Sequence, residues 1–218
     1  MSDQRMKINF NKVTPAPLAG VIDFNTNIWE KELSFEPGKK YKLFAPSGKG
    51  KSTFIHILYG LRFDYTGEVT INEQNVRKIR KDQWADLRQK NLSIVYQDLR
   101  LFLDLNALEN IHVKSVLYKE NLEEKIHQMT ERLGVQHLLD KKSRTLSYGE
   151  RQRIAIIRSL MQPFEWLLLD EPFSHLDKVN IRKASELITE EVTKRNAGLI
   201  VTSLGHDDFF YYDKELQL

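Results

Sequence analysis

Three short runs in this 218-residue sequence carry side chains that could handle a nucleoside triphosphate. Ala45-Pro46-Ser47-Gly48-Lys49-Gly50-Lys51-Ser52-Thr53 reads as a phosphate loop. Gly48 and Gly50 let the main chain approach phosphate oxygens, and successive amide N–H groups at a helix start supply positive potential. Lys51 is placed to reach the β- and γ-phosphates, Ser52 to put a hydroxyl on Mg²⁺, and Thr53 to support the α-phosphate side. Ala45 stands where the loop's first glycine is usual. Alanine lacks ready access to positive φ, so a small change in the first turn is expected. Further on, Leu167-Leu168-Leu169-Asp170-Glu171-Pro172 ends an apolar run in two acids. Asp170 can hold the Mg²⁺ shell through water, and Glu171 can polarise an attacking water. Between these runs lies Leu146-Ser147-Tyr148-Gly149-Glu150. Ser147-x-x-Glu150 is a capping-box pattern, and a well-capped helix N-terminus is also an anion site.

The surrounding pattern supplies elements to hold these groups. Lys7–Phe10, Leu33–Phe35 and Tyr41–Phe44 read as strands, the last feeding the phosphate loop. Phe54–Leu58 is the buried part of a helix stopped by Gly60, and Gly67–Asn72 is a strand and turn. Asn91–Tyr96 is a strand running into Gln97. Leu122, Ile126, Met129 and Leu133 recur at helical spacing before Gly134. Trp166–Leu169 has the unbroken apolar character of a strand buried on both faces. A helix face of Ile181, Ala184, Leu187, Ile188 and Val192 follows, then a buried strand at Leu199–Thr202. Strand alternating with helix predicts an α/β fold with a mainly parallel sheet. Within it, 1–97 and 146–218 form one catalytic core, interrupted by a small helical subdomain at 98–145.

Composition narrows the class. Apolar residues make up 41% and charged residues 29%, as in an ordinary globular domain. The net charge of +3 is too small and dispersed to suggest nucleic-acid binding. The basic run Arg77-Lys78-Ile79-Arg80-Lys81 reads as a solvated face, or as a surface for acidic lipid headgroups. With Trp84 and Leu87 it begins a helix packed on the core. Cysteine is absent, which excludes disulfides, thiolate zinc sites and a cysteine nucleophile. Met1–Lys7 has no apolar stretch behind its charges, so no signal peptide is expected. No run approaches the roughly 18 apolar residues of a membrane span.

Lys51 and Ser147 are 96 positions apart, and Ser147 precedes Asp170 by 23. With the three runs in this order, the chain resembles, over nearly its whole length, the nucleotide-binding subunit of an ATP-binding-cassette (ABC) transporter. Within Gln97–Phe102 and Leu108–Asn110 the wording is most similar to the subgroup serving lipoprotein release, macrolide export and cell division. The resemblance implies a P-loop NTPase (RecA-like) core with N-terminal antiparallel strands, acting as an ATPase with ATP and Mg²⁺, peripheral at the cytoplasmic face of a bacterial membrane. It would power an integral membrane permease and dimerise with a second copy, head to tail, around two nucleotides. Relatives in cell division transmit force without moving a solute, so a mechanotransmitting or regulatory ATPase is the alternative.

The resemblance also implies roles for single positions. Ser147 and Gly149, with Glu150 in place of the usual glutamine, would meet the γ-phosphate of the partner's ATP. Tyr148 replaces the first signature glycine and must point away from the nucleotide or reshape that contact. Gln97 matches the glutamine that touches Mg²⁺ and senses the permease. Ser174-His175-Leu176-Asp177 matches the loop that crosses the dimer interface. Ser203 stands where the switch histidine is usual, and His206, three residues on, is either that switch or an exposed loop histidine. Phe24, 27 positions before Lys51, is the candidate to stack on adenine, with Phe10 and Trp29 as rivals.

Overall fold

A computed structural model describes residues 5–20, 26–115, 118, 122–205 and 209–218. The chain opens with β1 (Ile8–Pro15), β2 (Glu32–Phe35) and β3 (Lys40–Phe44), followed by α1 (Lys51–Leu58). It continues through β4 (Tyr65–Ile71), β5 (Gln74–Asn75), α2 (Lys81–Lys90) and β6 (Leu92–Val95). Three helices come next: α3 (Ala107–Ser115), α4 (Glu123–Arg132) and α5 (Tyr148–Leu160). The last elements are β7 (Trp166–Asp170), α6 (Lys178–Arg195), β8 (Gly198–Ser203) and β9 (Lys214–Gln217).

The strands form two sheets. One is antiparallel in the order β2-β1-β4-β5. The other is parallel in the order β6-β7-β8-β3-β9. Every residue of β7 is buried, as its unbroken apolar run requires. Successive side chains on a strand point to opposite faces, and β7 divides accordingly. Trp166 and Leu168 join one core with Phe10, Phe35, Phe54 and the antiparallel sheet. Leu167 and Leu169 join a second core with α5, α6 and residues from α3 and α4. The parallel sheet is thus the middle layer. The basic run ends in α2, whose Trp84 is buried in the first core.

β9 escaped the sequence reading. Its residues Lys214-Glu215-Leu216-Gln217 bury only Leu216, because it is an edge strand paired only with β3. Alternation and apolar runs are weak signals on such an edge.

At the other end of the sheet's strands the packing is close. A methyl group added at Gly198 would lie 2.4 Å from Trp166, itself fully buried. Gly198→Ala is therefore expected to lower stability by about 1–3 kcal/mol through overpacking. Chemical denaturation would read this as a lower midpoint at unchanged slope. An unchanged midpoint would mean that the indole shifts freely.

Candidate functional site

Parallel pairing brings the C-terminal ends of β3, β6, β7 and β8 to one side of the sheet. In open α/β sheets this is where ligands bind. The phosphate loop leaves β3 there and enters α1 at Lys51, with Gly48 at φ 79° and Gly50 at φ 97°. A side chain at Gly50 would also run into Leu18, 2.6 Å from its Cβ position. Ala45 lies outside the positive-φ region. Alanine meets no conformational penalty there, and its N–H donates to the Ser203 carbonyl at 3.3 Å.

Lys51 is buried, and its Nζ donates to the carbonyls of Ala45 (2.8 Å) and Pro46 (3.1 Å). The same Nζ lies 3.3 Å from Glu171 Oε1. Glu171 follows β7 in the left-handed region at φ 47°, a conformation that costs a non-glycine residue about 1–2 kcal/mol. Its other oxygen, Oε2, accepts from Gln97 Nε2 at 3.3 Å, while Gln97 Oε1 accepts from the Ser52 hydroxyl at 3.4 Å. Ser52, Gln97, Glu171 and Lys51 therefore form one chain of contacts. Asp170 sits just behind, 2% exposed, with Oδ1 accepting from the Thr202 hydroxyl at 2.7 Å. That hydroxyl in turn accepts from the Glu171 N–H at 3.1 Å, so β8 braces both acids.

A cleft of about 260 Å³ is lined by Ser47, Gly48, Gly50, Lys51, Ser52, Thr53, Gln97 and Glu171. Pro17 and Leu18, to which the sequence pattern assigned no role, line it too. They come from a 3₁₀ turn after β1, and the Pro15-Ala16-Pro17 run was the available signal. Phe24 and His206 lie outside the described residues. Phe10 and Trp29 are core residues, Phe10 stacked on Phe54 with centroids 4.7 Å apart.

Ser147 and Glu150 form the expected capping box. The Glu150 N–H donates to Ser147 Oγ at 3.3 Å, and Glu150 Oε2 accepts from the Ser147 N–H at 2.7 Å. Among the described residues lining the Lys51 cleft, none comes from this helix start. Tyr148 points to its own chain instead. Its hydroxyl donates to the Gln97 carbonyl at 2.6 Å, and its ring centroid is 4.1 Å from that of His175. Asp177, the last residue of the Ser174–Asp177 loop, caps α6 by accepting from the Asn180 N–H at 2.8 Å.

These elements match a known family. Residues 30–174 fit the model of the ABC transporter domain. The chain belongs to that family, and it is an ATP-binding, ATP-hydrolysing subunit with the P-loop α/β fold. It is 36% identical over 179 residues to the lipoprotein-releasing system ATP-binding protein LolD of Legionella pneumophila, covering 81% of this chain and 78% of that one. It is 34% identical to the ABC transporter ATP-binding protein YxdL of Bacillus subtilis, covering 80% and 68%. Among solved structures it is similar in fold to the dimeric cassette MJ0796. The TM-score is 0.79 at 24% identity, over 96% of this chain and 94% of that one.

The Ser147 N–H bond is the first cause of a Glu150 pKa held below the ordinary carboxylate range. A depressed folded-state value stabilises the fold above the unfolded pKa, roughly 4.3, and the gain disappears as pH falls through the folded value. The melting temperature of the parent should thus exceed that of Glu150→Gln by more at pH 7 than at pH 3. A gap independent of pH would show that the carboxylate charge plays no part in the cap.

Proposed function

We propose that two copies of this chain, set head to tail, hydrolyse ATP and drive a separate integral membrane permease. The observation that carries this reading is the separation of two anion sites within one chain. The cleft around Lys51 receives one face of a triphosphate, whereas the capped start of α5 lines none of it. A second copy related by two-fold symmetry would bring Ser147 and Gly149 to the open face, as the first copy does in return. The names of LolD and YxdL, a lipoprotein-releasing system protein and a transporter protein, support a transport partner. No helix among the described residues is long and apolar enough to cross a membrane, and in this reading the subunit is peripheral, at the cytoplasmic face.

In the reaction, Lys51 exchanges its carbonyl and Glu171 contacts for β- and γ-phosphate oxygens. Glu171, so released, orients a water for in-line attack on the γ-phosphate. Backbone amides of the phosphate loop and the α5 start of the second copy hold the charge that develops. The Ser52 hydroxyl and Gln97 Oε1 are neutral oxygen donors, and the buried carboxylate of Asp170 directly precedes Glu171, which Gln97 also meets; together they are a hard-oxygen set suited to Mg²⁺. When bound, Mg²⁺ neutralises charge on the transferred phosphoryl group. Asp170, fixed by Thr202, would act on it through water. Phe24 would stack on adenine and His206 would contact the γ-phosphate. Residues 98–145, with α3 and α4, would be the helical subdomain against the core of 1–97 and 146–218.

Glu171→Gln should bind ATP as the parent does, release phosphate about 10²-fold or more slowly, and elute as a dimer with Mg²⁺ and ATP. Lys51→Ala should abolish turnover. Phosphate-release assays and size-exclusion chromatography decide both. Parental rates in Glu171→Gln would remove Glu171 from the chemistry, and a monomeric elution would remove the sandwich.

A further inference from the structure

Tyr148 is the first residue of α5, and the chemistry above gives it no part. Yet it is held on three sides. Its hydroxyl donates to the main-chain carbonyl of Gln97 at 2.6 Å. One face of its ring meets His175, and the Arg151 guanidinium lies 5.3 Å from the ring centroid. Ten residues further along α5, Arg158 reaches the same loop. Its guanidinium donates to the carbonyls of Leu99 (2.6 Å) and Arg100 (2.8 Å). Leu99 and Arg100 both occupy the left-handed region, at φ 61° and 46°, which L-residues keep only when their surroundings hold them there. The loop after β6 is thus fastened to α5 at Gln97, Leu99 and Arg100.

The tie at Gln97 matters because of where that side chain goes. Its amide spans from the Ser52 hydroxyl to Glu171 Oε2, at 3.4 Å and 3.3 Å. Both contacts are long for hydrogen bonds, so a small shift of the Gln97 main chain would break them. A glycine at position 148 could make no such bond, and of the ties from α5 described above those of Arg158 would be left, two residues further on. We propose that Tyr148 is a positioning residue whose hydroxyl binds the first turn of α5 to Gln97, so that the signature turn and the Gln97 amide move as one. The proposal rests on the part given to Gln97 above.

Tyr148→Phe keeps the ring against His175 and removes only the hydroxyl. Steady-state hydrolysis should show kcat reduced roughly three- to ten-fold, the worth of one hydrogen bond, with KM for ATP unchanged because the phosphate loop is untouched. The same change in a Gln97→Ala background should have less than about a two-fold effect, because the tie then positions nothing. Equal losses in both backgrounds, or no loss in the first, would overturn the proposal in favour of a local packing role. Hydrogen exchange without nucleotide reads the tie separately from turnover. Amides of 97–102 should exchange faster in Tyr148→Phe, and unchanged exchange would also overturn it. If Gln97→Ala alone keeps parental kcat while exchange responds to Tyr148→Phe, the failure lies with the part given to Gln97. The tie would stand, and its positioning role would be overturned.

Discussion

The parallel registration of β3, β8, β7 and β6 is the constraint on which the rest depends. Phe44 pairs with Ser203, Thr202 with Asp170, and Leu169 with Val95. Because the strands run the same way and end nearly level, the segments that follow them emerge side by side. The phosphate loop, Ser203, Glu171 and Gln97 are therefore neighbours, although they span more than 150 positions of sequence. A slip of one residue in any pair would turn the affected side chains to the opposite face of the sheet. The buried apolar sets on the two faces make such a slip costly, so the cores hold the site in register.

Burial of charge is managed through partners. Lys51 and Asp170 are almost wholly enclosed, and an unpartnered charge in such a place would be expensive. Lys51 has two carbonyls and a carboxylate, while Asp170 has the Thr202 hydroxyl. Arg158 is another buried charge. Burial lowers its pKa to about 10, which leaves it protonated at neutral pH, and it spends its donors on a loop in an unfavourable conformation. Lys51 and Arg158 therefore each fix a piece of main chain as well as satisfying themselves.

Two departures from the family pattern have physical explanations. Ala45 sits outside the positive-φ region, so glycine's freedom is not needed there. Tyr148 is turned inward onto Gln97 and His175, away from the outward-facing turn that the capping box presents. The basic run is likewise accounted for in part, since it leads into a helix anchored by Trp84.

The local groups were legible in the chain itself. The phosphate loop, the acid pair ending β7 and the capping box depend on contiguous residues, and so did most strands and helices whose apolar period or unbroken burial was strong. Edge strand β9 was not, since only one of its residues is buried and its pairing with β3 is a long-range fact. Nor could sequence show that Pro17 and Leu18 line the cleft, that Glu171 adopts a left-handed turn, or that Thr202 braces both acids. Sequence alone determined which groups could bind and cleave a triphosphate, because that chemistry follows from residue types at short spacing. Tertiary structure decided which of them meet, and where Tyr148 points. Those contacts join segments far apart in the chain, and they exist only once the sheet and its two cores have formed.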